Sequence, residues 1–181
     1  MNTRQGLTLP ELLLTLALLA LLATQALPSL SAQLHRRRLL AASDALMADL
    51  QLLREATVAQ HRALRLSLHE LPEGSCRLLH DGEAGDCRCE ADTRHQPRAT
   101  CRDGTRVLRA TLLPRDLRLL LRANVASLRA DPRQGTITPT GSIELVGLDS
   151  EAPVLRHVVN IMGRTRRCTP AAPLAGVPRC A

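Results

Sequence analysis

Residues 6–58 read GLTLPELLLTLALLALLATQALPSLSAQLHRRRLLAASDALMADLQLLREATV. This stretch decides the fold. From Leu12 to Leu30 there is no charged residue. Nineteen residues at a 1.5 Å rise cover roughly 28 Å, close to the hydrocarbon thickness of a bilayer. An export signal cut near Ser31 or Ala32 needs an apolar core of only about 7–15 residues. It also gains nothing from Glu11, which stands at the head of the run. A carboxylate entering a bilayer costs up to a few kcal/mol. A retained membrane anchor is therefore the expectation. Between Gln33 and Val58 there is no Pro or Gly. Leu39, Leu46, Leu50 and Leu53 recur at helical spacing there, with Leu40 and Met47 beside them and Asp44, Asp49 and Glu55 between. A helix from Leu7 to Val58 would be roughly 75–80 Å long if unbroken. Pro28 removes one rung of its hydrogen-bond ladder.

Beyond the helix the period changes to two. Leu64, Leu66 and Leu68 alternate with Arg65, Ser67 and His69, the pattern of a half-buried strand. Short strands are also expected over 76–80, 107–113, 117–122, 127–130, 136–138, 142–146 and 156–161. Pro139, Thr140 and Gly141 mark a turn, and Met162 with Gly163 turns the chain into a last strand at 164–168. Residues 81–104 carry Asp, Gly, Glu, Arg and three Cys with little apolar content, and read as an insertion loop. The fold class expected is α+β: a long N-terminal helix, transmembrane then amphipathic, packed on a C-terminal antiparallel β domain. At 181 residues the chain suits one such domain plus an anchor.

The chain has no Phe, Tyr or Trp. Its core must be aliphatic, so each Leu, Val or Ile contact carries more of the stability than usual. Base stacking on a protein ring is excluded for the same reason. Every one of the 24 basic residues is Arg. The net charge of +7 is uneven: residues 1–38 carry +3, 39–104 carry −3 and 105–181 carry +7. The C-terminal half therefore favours a polyanion or an acidic partner surface.

All six cysteines follow residue 75. Past a membrane segment, an even number reads as disulfides formed in an oxidising compartment. Cys87 and Cys89 are too close to bond each other comfortably. Each pairs with Cys76 or Cys101, in either of two ways, and Cys168 with Cys180 closes the C-terminal tail. A metal site is not expected. Cys87 and Cys89 lack a second pair at zinc spacing, and His80 and His95 fall in no ligand pattern. No cofactor motif is present. The chain also lacks a Ser-His-Asp order in context, a Gly-rich phosphate loop and a recognisable carboxylate pair, which argues against an enzyme. His157 lies in an apolar strand and reads as a core or edge histidine.

Gly6, a hydrophobic residue, Thr8, Leu9 and Glu11 ahead of an apolar helix resemble the class III signal of type IV pilins and pseudopilins. The resemblance implies a prepilin leader at 1–6, a transmembrane helix at 7–30, its continuation at 31–60 and a β-rich globular domain at 61–181. It implies cleavage by the prepilin peptidase after Gly6 and methylation of the new N-terminus at Leu7. Glu11 becomes the fifth mature residue, where its carboxylate can pair with the terminal amine of a neighbouring subunit during filament assembly. Leu7, Gln5 and Pro10 depart from the usual Phe, basic residue and Ile. Pro10 falls in the first helical turn, where a missing N–H is harmless. His35 and Arg36–Arg38 follow the helix and by themselves leave the positive-inside orientation ambiguous or reversed. The cysteines and the resemblance nonetheless place the C-terminal domain in the periplasm, on a single-pass protein of the bacterial inner membrane.

Residues 127–140, SLRADPRQGTITPT, and 160–168, NIMGRTRRC, are similar to the turn-rich strand pair and last hairpin of the GspH/FimT branch of that family. FimT-like members carry a Gly-Arg-x-Arg motif linked to DNA uptake in transformation. Here it is Gly163, Arg164 and Arg166. The resemblance implies double-stranded DNA as a partner, and Arg167 and Arg179, near the Cys168–Cys180 closure, are expected to extend the patch. Backbone contact of this kind is steeply salt-dependent and little concerned with sequence. The other expectation is a GspH-like minor pseudopilin of type II secretion that binds no nucleic acid. Both imply other pilins as filament partners.

Overall fold

The computed structural model describes residues 9–91, 96–148, 153–170 and 174–180. Within the helix, the side chains of Ala23 and residues 25–29 fall outside the described set. Gly6, Leu7 and His95 lie outside it too.

Helix α1 runs over Leu9–Gln60 and is uninterrupted at Pro28. Losing one N–H there does not end it, because the flanking turns keep their own bonds. No Gly or Pro stops α1 at its C-terminus. His61 does so by taking a left-handed conformation, φ 50°, a region His tolerates better than most residues.

The chain forms two compact units, residues 1–38 and 39–181. In the first, Leu12, Leu13, Leu14, Leu16, Leu18, Leu19, Leu21 and Leu22 are all exposed on α1. Among the described residues no helix is long and apolar enough to cross a membrane. The second unit begins with the C-terminal part of α1, where Leu39, Ala42, Leu46, Leu50, Leu53 and Ala56 are buried. These recur three or four residues apart, so one face of the helix enters the core.

Among the described residues eleven strands follow: β1 Leu64–Leu71, β2 Gly74–His80, β3 Cys87–Ala91, β4 Pro97–Cys101, β5 Val107–Pro114, β6 Leu119–Ala123, β7 Ser127–Ala130, β8 Ile137–Thr138, β9 Gly141–Gly147, β10 Val154–Val159 and β11 Thr165–Cys168. Sheet I has the order β5-β2-β1-β7-β8 and sheet II the order β11-β10-β9-β6. All their pairings are antiparallel. The turn at Pro139–Gly141 does not join neighbouring strands. It carries the chain from β8 in sheet I to β9 in sheet II.

Residues 81–104, expected as a loop, contain a hairpin instead. Strands β3 and β4 pair with Cys87 opposite Cys101 and Glu90 opposite Arg98. The hairpin packs Cys87 and Cys89 against Cys76 and Leu78 of β2. It therefore covers the face of sheet I opposite the main core. That explains why β2 is buried along its whole length. It also corrects the half-buried reading of β1, since Arg65 and Ser67 are buried as well as Leu64 and Leu66.

Candidate nucleic-acid interface

The hairpin of β10 and β11 carries the arginines singled out from sequence. Its loop is closed at Asn160. The Asn160 N–H donates to the Arg164 carbonyl at 3.1 Å, and Asn160 Oδ1 accepts the Arg164 N–H at 2.8 Å. Gly163 has φ +71°, which glycine adopts at no steric cost. A Cβ there would also come within 3.2 Å of Ile137 Cδ1. The glycine of the motif is thus required by the turn, and the arginines follow from where the turn points them.

Arg164 and Arg166 are both exposed and make no ion pair among the described residues. Arg164 lies in the turn and Arg166 on the strand, because β11 begins at Thr165. Arg166 is opposite Val158 of β10. Side chains alternate along a strand, so Arg167 faces the other way, toward α1. There Arg167 Nη1 donates to Asp44 Oδ1 at 2.6 Å and to Ser43 Oγ at 3.2 Å. Arg167 was expected to extend the DNA patch. Its charge is instead matched by Asp44, and it ties the hairpin to the helix.

Behind that tie, His157 is fully buried and its Nε2 lies 2.9 Å from Ser43 Oγ. Burial drives its pKa down to about 4, and the Arg167 and Arg77 charges push in the same direction. A second tie joins α1 to sheet I. Arg77 Nε donates to Asp49 Oδ2 at 2.7 Å, with both side chains almost completely buried. Arg109 reaches the other oxygen of Asp49 at 3.3 Å. By sequence Asp49 reads as one of the polar residues between the leucines. Its signal was its position: Ala42, Leu46, Asp49 and Leu53 follow one another at spacings of four and three, on the buried stripe.

The cysteines form Cys76–Cys89, Cys87–Cys101 and Cys168–Cys180. The first pins the β3–β4 hairpin to sheet I and the second closes that hairpin. The third ties the C-terminal tail to β11, and Arg179 lies exposed on that tail. His80 is committed to the fold. Its Nδ1 accepts the Gly82 N–H, so Nε2 carries the proton and donates to Ser67 Oγ at 2.9 Å. Burial, then the Arg65 charge, lowers its pKa. No cluster of three or more metal-ligating side chains occurs among the described residues. Glu11 is exposed in the first turn of α1.

The crystal structure of the type IV minor pilin FimU from Pseudomonas aeruginosa is similar, with a TM-score of 0.51 and 20% identity. The match covers 72% of this chain and 88% of that one. The chain has the pilin fold. No family model matches it, and no curated protein matches it. Within this fold the elements have distinct placements. The buried side of α1 serves the core, the β3–β4 hairpin covers sheet I, and sheet II carries Arg166 on the face turned away from the helix.

Proposed function

We propose that the chain is a minor subunit of a type IV pilus or type II secretion filament. The observation that carries this reading is the division of labour along α1. Its C-terminal part is packed into the β domain, while its N-terminal part presents unpartnered leucines. Such a surface needs a bilayer or the helices of other subunits, and a filament subunit meets each in turn. The Gly6-to-Glu11 signal supports the same reading. The prepilin peptidase cuts after Gly6, Leu7 becomes the methylated N-terminus, residues 7–30 span the inner membrane, and the β domain lies in the periplasm. Glu11 then meets the Leu7 amine of a neighbour, which offsets the desolvation of both charges. In cells carrying Glu11→Ala, the chain is expected in the membrane fraction at normal levels but depleted from sheared filaments. Normal incorporation of that variant would sink the reading.

Within the filament we assign a second task, contact with double-stranded DNA through Arg164 and Arg166. Their exposure, and their making no ion pair among the described residues, favour it. Arginine bonds to phosphate oxygens are charge-assisted and bind any sequence. The competing reading is a GspH-like pseudopilin with no nucleic-acid partner. A gel-shift titration separates them. Salt-sensitive binding that Arg164→Ala/Arg166→Ala abolishes favours the DNA reading, and its absence favours the pseudopilin.

A further inference from the structure

The register of sheet II puts Arg166 in company that the sequence does not reveal. Residues directly opposite in an antiparallel ladder share a face. Across β6, β9 and β10, Arg122 is opposite Glu144, and Glu144 is opposite Arg156. One step along, Ser142 is opposite Val158, and Val158 is opposite Arg166. Arg122, Glu144, Arg156, Val158 and Arg166 therefore lie on one face. It is the face away from the helix, because the alternate residues Leu121, Ile143, Leu145, Leu155 and His157 are buried in the interior.

This face is open. Arg122 and Arg166 are exposed, Val158 is 42% exposed, and Glu144 and Arg156 are half-buried. Sheet I has the β3–β4 hairpin over its corresponding face, whereas on sheet II the described tail covers the face at Cys168, which is opposite Arg156, buried and bonded to Cys180, and leaves Arg122, Val158 and Arg166 exposed. Arg156 and Arg166 are diagonal neighbours, about 7–8 Å apart at the backbone. Arg122 and Arg156 are two strand spacings apart, about 9–10 Å. Flexible arginine stems on such a grid reach a run of neighbouring phosphates. The row holds three arginines against one acid, and that acid is engaged: Arg156 Nε donates to Glu144 Oε1 at 2.7 Å.

We propose that Arg122, Arg156 and Arg166 form a polyanion track across the strands of sheet II, taking the phosphate backbone of duplex DNA, with Glu144 restraining its affinity. The track rests on the DNA reading above and changes its geometry. The nucleic acid crosses the sheet from the β10–β11 hairpin to β6 and does not follow β11 alone.

The test uses the full chain in neutral detergent micelles and a random-sequence 30-base-pair duplex, with affinity measured against salt. Removing one arginine–phosphate bond makes the log–log salt slope shallower by about 0.9. Arg122→Ala, at an exposed position, is expected to show that change and to weaken binding. Glu144→Gln, which removes the acid and keeps its shape, is expected to tighten binding. Arg98→Ala, an exposed arginine on the β3–β4 hairpin, is the control and leaves the slope unchanged. If Arg164→Ala/Arg166→Ala abolishes binding while Arg122→Ala and Glu144→Gln behave like Arg98→Ala, the track is wrong and the DNA reading stands. If the unmodified chain binds no duplex at any salt, both fall. Unchanged far-UV circular dichroism keeps a folding defect from imitating either result.

Discussion

Replacing Asp49 with alanine should be among the most damaging single changes in the chain. Asp49 and Arg77 are 4% and 2% exposed at their side chains and sit 2.7 Å apart. Removing the carboxylate leaves the Arg77 guanidinium charged, buried and unpaired between α1 and sheet I. Arg109, its side chain 49% exposed, can move into solvent when it loses Asp49, but Arg77 cannot. Stranding one partner of a buried pair costs about 3–5 kcal/mol. Against a total stability of about 5–15 kcal/mol, that is a large share. With a urea slope of about 2 kcal/mol/M, the midpoint falls by roughly 1.5–2.5 M. The chain has no aromatic residue, so unfolding is followed by far-UV circular dichroism and not by fluorescence. Arg77→Met should cost less, because Asp49 keeps Arg109. Asp49→Leu with Arg77→Met should recover most of the loss, since an apolar pair of similar volume replaces two desolvated charges. A loss below about 1 kcal/mol for Asp49→Ala would mean that Arg77 reaches water, and the buried tie would be refuted.

Two further outcomes are expected. His157 is neutral in the fold with a pKa of about 4, against 6.5 when unfolded. Between those values the unfolded chain holds the extra proton, so stability is complete above pH 6.5 and falls as pH drops toward 4, by about 3 kcal/mol in all. His157→Gln should remove most of the difference between urea midpoints at pH 7 and pH 4.5, leaving the smaller part from His69 and His80, whose pKa values are also lowered; an unchanged difference would contradict it. Trypsin cuts after Arg77, Arg88 and Arg98, which places Cys76, Cys87, Cys89 and Cys101 on separate peptides. Non-reducing mass spectrometry should find peptide 66–77 joined to 89–94 and peptide 78–88 joined to 99–102, whereas 66–77 joined to 78–88 would overturn the pairing.

The parts legible in the sequence were those written in local periodicity. The leucine spacing from Leu39 to Leu53 gave the packed face of α1, and alternation gave most strands to within a residue or two. The β3–β4 hairpin was not legible. Its outward face is Arg88, Glu90, Arg98 and Thr100, and its inward face is Cys87, Cys89, Ala91, Pro97, Ala99 and Cys101, so its alternation is carried by cysteine and small residues with no large aliphatic side chain to mark a strand. The choice between the two disulfide pairings was closed for a related reason. Cys87 and Cys89 point to the same side, and only the register, with Cys101 directly opposite Cys87, assigns them. Arg164 and Arg166 stood out through the resemblance of residues 163–166 to the Gly-Arg-x-Arg motif. The fate of Arg167 depended on Asp44, 123 residues earlier, and the company of Arg166 depended on strand order. Neither pairing leaves a trace in local sequence.

The most direct test of the filament reading is the mass of the N-terminal peptide of the chain isolated from the organism that makes it. A filament subunit begins at Leu7, lacks residues 1–6 and carries one methyl group on the new amine. A chain that begins at Met1, or near Ser31 or Ala32, was never processed as a pilin and contradicts the assignment.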